Sequence, residues 1–180
     1  MSIKVTIPET ELYDEKNERF IYIRKQTITL EHSLVSLHKW EQKWHVPFLE
    51  TEKTNEQILD YLMFMTLTQN VDPLVYSVIP KDEMKRINEY IENPMTATTF
   101  SNNGKSKRKK EIITAEIIYY WMIKFGIPVE FQKWHLNSLM TLIQVIGLKE
   151  APEKKMGTQE ALRQQRELNA ARRARLHSKG

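Results

Sequence analysis

At 180 residues, with 41% hydrophobic and 28% charged side chains, the chain can bury one sizeable core and is too short for two ordinary domains. It contains no cysteine, which excludes a disulfide scaffold, thiolate metal ligation and a cysteine nucleophile. The net charge of +4 is unevenly placed: residues 101–110 hold five cations and no anion, residues 158–180 hold six cations against two anions, and −5 is left for the rest.

The first thirty residues alternate in strand fashion. Ile3, Val5 and Ile7 share one face, FIYIR (20–24) and TITL (27–30) are rich in β-branched and aromatic types, and the polar YDEKNER between them supplies a turn. A small β-hairpin or meander packed on the core is expected over 1–30. From Glu31 the period changes to that of a helix. Leu34, Leu37, Glu41 and Trp44 lie near one stripe with Trp40 beside it, ending before Pro47. A second helix opens at the capping box Thr54–Gln57, and VDP (71–73) stops it or sits just past its end. A third runs from Lys81 to Glu92 and is closed by Asn93–Pro94.

MTATTFSNNGKSKRKK (95–110) reads as a long basic loop. EIITAEIIYYWMIKFG (111–126) is apolar on nearly every side, the mark of a central helix or one that faces a partner, and Gly126 and Pro128 end it. A further helix is expected from about Val129 to Ile146. After a hinge over 149–157 comes a basic helical tail too poor in apolar residues to bury itself. The expected fold is therefore mainly α: an N-terminal β-hairpin or meander, about five helices over 31–148 with the basic loop at 101–110, and a tail over 149–180. The start has no apolar stretch after its positive charge, so no secretory signal is expected. The apolar segment near 112–127 is interrupted by Thr114, Glu116 and Lys124 and is not expected to span a membrane.

Little in the sequence points to catalysis. There is no GxSxG elbow, no Walker A motif and no GxGxxG, and there are five glycines in all. His38, Glu41 and His45 share a helix face at i, i+3, i+7, but HExxH is absent, so packing is favoured over metal. The string QKWH occurs at 42–45 and at 132–135, one copy ending a helix and the other opening one. A shared packing role is expected, with Trp inward and Lys and His toward the boundary. Trp40 and Trp44, flanked by Lys39 and Lys43, could stack on nucleic-acid bases, but Trp at helical spacing with Leu34 and Leu37 reads better as core. No catalytic residue, cofactor or metal ligand is assigned. The candidate partner-binding residues are the cations Lys105, Lys107, Arg108, Lys109, Lys110, Arg163, Arg166, Arg172, Arg173 and Arg175.

Several strings carry a resemblance: LEHSLVSLHKWEQKWHVPFL (30–49), LTQNVDP (67–73), NPMTATTF (93–100), EIITAEIIYYWMI (111–123), KWHLNSLMTLI (133–143) and LNAARRARLHSKG (168–180). Together they resemble the tail assembly chaperones of tailed bacteriophages. The resemblance implies a late, largely helical, non-enzymatic protein of the infected bacterial cytoplasm. Such a protein binds the long tape measure protein, keeps it soluble and helps tail-tube subunits polymerise around it, and it is absent from the finished virion. No binding residue carries over from the family. On the residues alone, exposed surface on 111–126 and on the Met-rich YLMFM (61–65) would suit such a client, and the charge asymmetry would suit self-association. The alternative is a structural virion protein at a head, neck or tail junction, its basic loop and tail set against neighbouring subunits or DNA. Nucleic acid is the less favoured partner, and no membrane is expected.

Overall fold

The structure, a computed structural model, describes residues 2–14, 17–100 and 112–150, together with Gln165, Arg166, Leu168 and Asn169. Contacts divide the chain into two units, Met1–Ile146 and Gly147–Gly180. In the second unit Gln165, Arg166, Leu168 and Asn169 are helical and exposed.

The first unit opens with four strands, β1 (Ile3–Ile7), β2 (Thr10–Asp14), β3 (Arg19–Ile23) and β4 (Gln26–Leu30). β1 pairs antiparallel with β4 and β2 with β3. These two small sheets are halves of one ribbon. Ile7 stands opposite Gln26 and Thr10 opposite Ile23, three residues further along each strand, so the register runs through the break. The ladder lapses at Pro8, which has no N–H to donate. The inward face changes there as well. In the proximal half Val5, Ile7, Ile28 and Leu30 are fully buried, whereas in the distal half Ile23 is buried and Leu12 partly so. Leu12 and Ile23 have the opposite parity to the proximal set, which puts Tyr13, Phe20 and Tyr22 outside. A two-stranded ribbon twists strongly enough to turn over in this way.

Six α-helices and one 3-10 helix follow among the described residues: α1 (Leu34–Trp44), α2 (Asn55–Met65), α3 (Leu74–Ser77), α4 (Lys81–Glu92), α5 (Ala115–Lys124), the 3-10 helix Val129–Lys133, and α6 (Leu136–Glu150). The mainly α expectation is thereby corrected to a mixed α/β fold, although the N-terminal hairpin it contained is present. The physical reason is that β1 and β4 supply four of the fully buried aliphatics and lie inside the core with the helices. The distal strand β2 went unread because Tyr13 and Asp14 looked like part of a polar turn. The helix expected from Val129 is divided: a 3-10 turn, then extended backbone at Trp134, then α6 from Leu136.

Local signals explain most boundaries. The Thr54 hydroxyl accepts from Gln57 N–H at 3.3 Å, and Gln57 Oε1 accepts from Thr54 N–H at 2.9 Å, the reciprocal box that starts α2. Gly126, at φ 62, ends α5. Its N–H reaches the Ile123 carbonyl while Ile127 N–H reaches the Met122 carbonyl at 2.8 Å, and both Ile127 and Met122 are buried.

The core joins Leu34, Leu37 and Trp40 of α1 to Tyr61, Leu62 and Met65 of α2, Ile118 and Met122 of α5, and Leu136, Leu139 and Ile143 of α6. Trp40 is fully buried, its ring edge meets Phe48 at 5.0 Å, and its Nε1–H donates to the Gln57 carbonyl at 2.9 Å. The core reading of Trp40 is thereby supported over base stacking. Replacing it by alanine should cost about 3–5 kcal/mol, measured as a lower urea midpoint at an unchanged m-value.

Candidate interaction surface

Three regions stand out once the core is accounted for. The first is the outer face of the distal ribbon. Phe20, Tyr22 and Tyr13 are 67%, 58% and 54% exposed. Tyr13 and Phe20 face each other across the strands with ring centroids 5.1 Å apart. Glu11 is the cross-strand partner of Tyr22. A hydrogen bond from the Tyr22 hydroxyl to Glu9 holds that phenol above its usual pKa. Cross-strand aromatic pairs stabilise a hairpin, but three large rings on one open face also leave apolar area in water that a partner can cover.

The second region is the outward side of α5. Ala115, Ile118 and Met122 turn inward, while Tyr120 is exposed and Ile123 is 81% exposed. Lys124 Nζ lies 5.9 Å from the Tyr120 ring centroid and 5.8 Å from that of Phe125. The expectation of open apolar surface holds for this helix and fails for YLMFM. There Tyr61, Leu62 and Met65 are buried and Met63 and Phe64 pack partly against the core.

The third is a cleft of about 510 Å³ between the loop after α4 and the first turns of α6. Met95, Trp134, Leu142 and Val145 make its apolar wall, and Thr96, Thr98, Ser138 and Thr141 its hydroxyl wall. The Ser138 hydroxyl donates to the Met95 carbonyl and that of Thr141 to the Asn137 carbonyl, at 2.7 and 2.8 Å. Both oxygens thus turn only lone pairs toward a ligand.

His135 forms part of the cleft and belongs to a buried polar cluster beneath it. The His32 and His135 rings lie 5.0 Å apart, edge to face. His32 Nδ1 is 2.6 Å from the Tyr61 hydroxyl, and its backbone N–H donates to the Tyr90 hydroxyl at 3.2 Å. His135 Nε2 lies 2.9 Å from the Tyr90 carbonyl, and its Nδ1 accepts from Asn137 N–H at 3.3 Å. Burial, helped by His135, depresses His32 to about 3. Burial also lowers His135, opposed by its bond to the Tyr90 carbonyl and assisted by the positive α-amino group. Burial raises Tyr61 and Tyr90. Every member of the cluster sits in a hydrogen bond to a neighbouring element, so the cluster ties α2, α4 and the segments entering α1 and α6 together.

The sequence-assigned residues fall as follows. Lys105, Lys107, Arg108, Lys109, Lys110, Arg163, Arg172, Arg173 and Arg175 lie outside the described residues, and Arg166 is an exposed helical residue. Of the trio His38, Glu41 and His45, only Glu41 is buried. Its Oε1 and Oε2 accept from the N–H groups of Phe48 and Ala115, each at 2.7 Å. His38 Nδ1 stands 3.9 Å from Glu116 Oε1, and His45 caps α1 in the left-handed region at φ 54. No group of three His, Asp or Glu among the described residues is arranged to hold a metal ion. No described helix is long and apolar enough to cross a membrane.

The two QKWH copies correct their shared expectation. In the first, Trp44 is half-buried and His45 exposed. In the second the roles are reversed: His135 is buried, and Trp134 is 42% exposed and stacked on Phe131 at 3.9 Å. Sequence reasoning overlooked the His32–His135 pair, because nothing in local spacing joins residues so far apart. The one available signal was His-Leu-Asn-Ser at the head of an apolar helix, a polar cap pattern.

No protein-family model, curated protein or solved structure matches the chain. What its surface can bind follows from the geometry of that surface.

Proposed function

We propose that this protein is a non-enzymatic assembly chaperone of tailed-phage tail morphogenesis. It binds the tape measure protein in the infected cell, assists tail-tube polymerisation around it, and leaves before the virion is complete. The observation that carries this reading is the open aromatic face of the distal ribbon, Tyr13, Phe20 and Tyr22. A long amphipathic client needs apolar cover before its proper partners arrive, and rigid aromatic side chains provide contact area at low entropic cost. The resemblance noted in the sequence supports the same reading, and the exposed side of α5 offers a second apolar contact.

Co-expression with the tape measure protein tests it. The wild-type chain should co-purify with the client and raise its soluble fraction. The triple variant Tyr13→Ser, Phe20→Ser, Tyr22→Ser should lose capture by tenfold or more. Its melting temperature should stay within a few degrees of wild type, because these side chains are largely solvated. Client solubility that does not depend on the chain would refute the proposal. Stoichiometric peptides of the chain in purified virions would favour the structural alternative at a head, neck or tail junction.

A further inference from the structure

Residues 135–138, at the start of α6, are tied to the last turn of α4 and the three residues after it by four side-chain bonds. His135 Nε2 meets the Tyr90 carbonyl, Asn137 Nδ2 donates to the carbonyls of Ile91 and Asn93 at 2.9 and 2.8 Å, and the Ser138 hydroxyl donates to that of Met95. The end of one helix is thus capped by the start of another. The segment entering α1 joins the same point: Ser33 bridges His135, and Leu136 N–H donates to the His32 carbonyl at 3.0 Å.

The tautomer of the neutral His135 ring is set by this arrangement. Because Nδ1 accepts from Asn137 N–H, the ring proton resides on Nε2 and points to the Tyr90 carbonyl. A second proton would turn the cap acceptor into a donor facing another donor. It would also place a positive charge against the positive end of α6 and 5.0 Å from the His32 ring.

We propose that His135, with His32 beside it, is an acid-sensitive clasp: protonation withdraws the cap of α6, releases the end of α4 and opens the cleft whose two walls these bonds join. The groups facing the pair are Tyr61 from α2 and Tyr90 from α4, with Ser36 of α1 bonded to the Tyr61 hydroxyl, Glu31 acting on the Tyr90 hydroxyl and the α-amino group adding its charge against a protonated His135. The tyrosines are neutral across this range, their pKa values being raised. The device operates whatever the protein binds, so it stands apart from the chaperone reading.

Amide hydrogen exchange, corrected for the intrinsic pH dependence of the rate, reads it directly. If the opened state titrates as an ordinary histidine near 6.5, one proton raises the open population about tenfold between pH 7.5 and 5.5. Protection should fall by that factor in residues 90–98 and 134–140, ahead of α2. His135→Asn keeps a cap acceptor without a titrating ring, and in it the pH dependence should disappear from residues 90–98 and 134–140, while α2 still responds through His32. The same fall in protection of residues 90–98 and 134–140 in His135→Asn as in the wild-type chain would overturn the proposal. Should that variant fold poorly, histidine ring titration by NMR on the wild-type chain decides. A His135 that titrates with the Asn137 amide resonance unmoved would equally overturn it.

Discussion

Glu41→Gln should lower the stability of this protein by about 2–4 kcal/mol, the range for removing a charged acceptor from buried hydrogen bonds. Glu41 is buried on α1, and its carboxylate accepts from Phe48 N–H in the loop after α1 and from Ala115 N–H at the first residue of α5. One side chain therefore fixes three pieces of chain, and its charge lies at the positive end of α5. Glutamine keeps one acceptor and turns an NH₂ group toward the other N–H, which is left unsatisfied. In calorimetry the melting temperature should drop by roughly 5–15 °C, and exchange protection should fall first at the start of α5. The control Glu52→Gln, at an exposed position, should stay within about 0.5 kcal/mol of wild type. Equal melting temperatures for Glu41→Gln and wild type would show that these bonds do not hold α5.

Acid should weaken the whole fold through His32. Its folded pKa of about 3 lies below the ordinary 6.5 because burial disfavours the imidazolium. The native state therefore binds this proton less readily than the unfolded chain does. The stability His32 contributes is complete above about pH 6.5 and is lost progressively as the pH falls from there toward 3. At pH 4.5 the loss amounts to about 3 kcal/mol. Urea midpoints at pH 7.5 and 4.5 measure it in wild type and in His32→Gln, whose amide can still meet the Tyr61 hydroxyl. The variant starts from a lower midpoint and should show a shallower pH slope, the difference isolating this residue from the carboxylates that titrate nearby. Parallel slopes would remove His32 as the source.

Local chemistry was legible in the sequence, and distant pairing was not. The Thr54–Gln57 box, the Lys81–Glu92 helix and the Gly126 terminus rest on contacts within a few residues, and each appears where its letters place it. The inward turn of Leu34, Leu37 and Trp40 followed from helical spacing. The balance of helix and strand was misjudged because alternation alone does not say whether a ribbon lies at the edge of a core or inside it. YLMFM looked like adaptable surface because composition carries no direction, and Tyr61, Leu62 and Met65 in fact face inward. For the candidate surface, Phe20 and Tyr22 were visible as strand letters, whereas Tyr13 read as part of the turn. That they stand outside depends on the ribbon turning over near Pro8, which no period-2 count contains.

The Ser33–His135 bridge has a consequence for the order in which this chain can fold. The β ribbon and the α1–α2 pair close through contacts among residues 3–65 and can form early, since short loops close cheaply. The site where α6 meets the segment entering α1 must wait for His135, about a hundred residues after Ser33. Until then the apolar face of Leu136, Leu139 and Ile143 is missing from the core. A nascent chain stopped before His135 would carry its ribbon but expose the hollow that α6 fills, and would itself be a substrate for cellular chaperones.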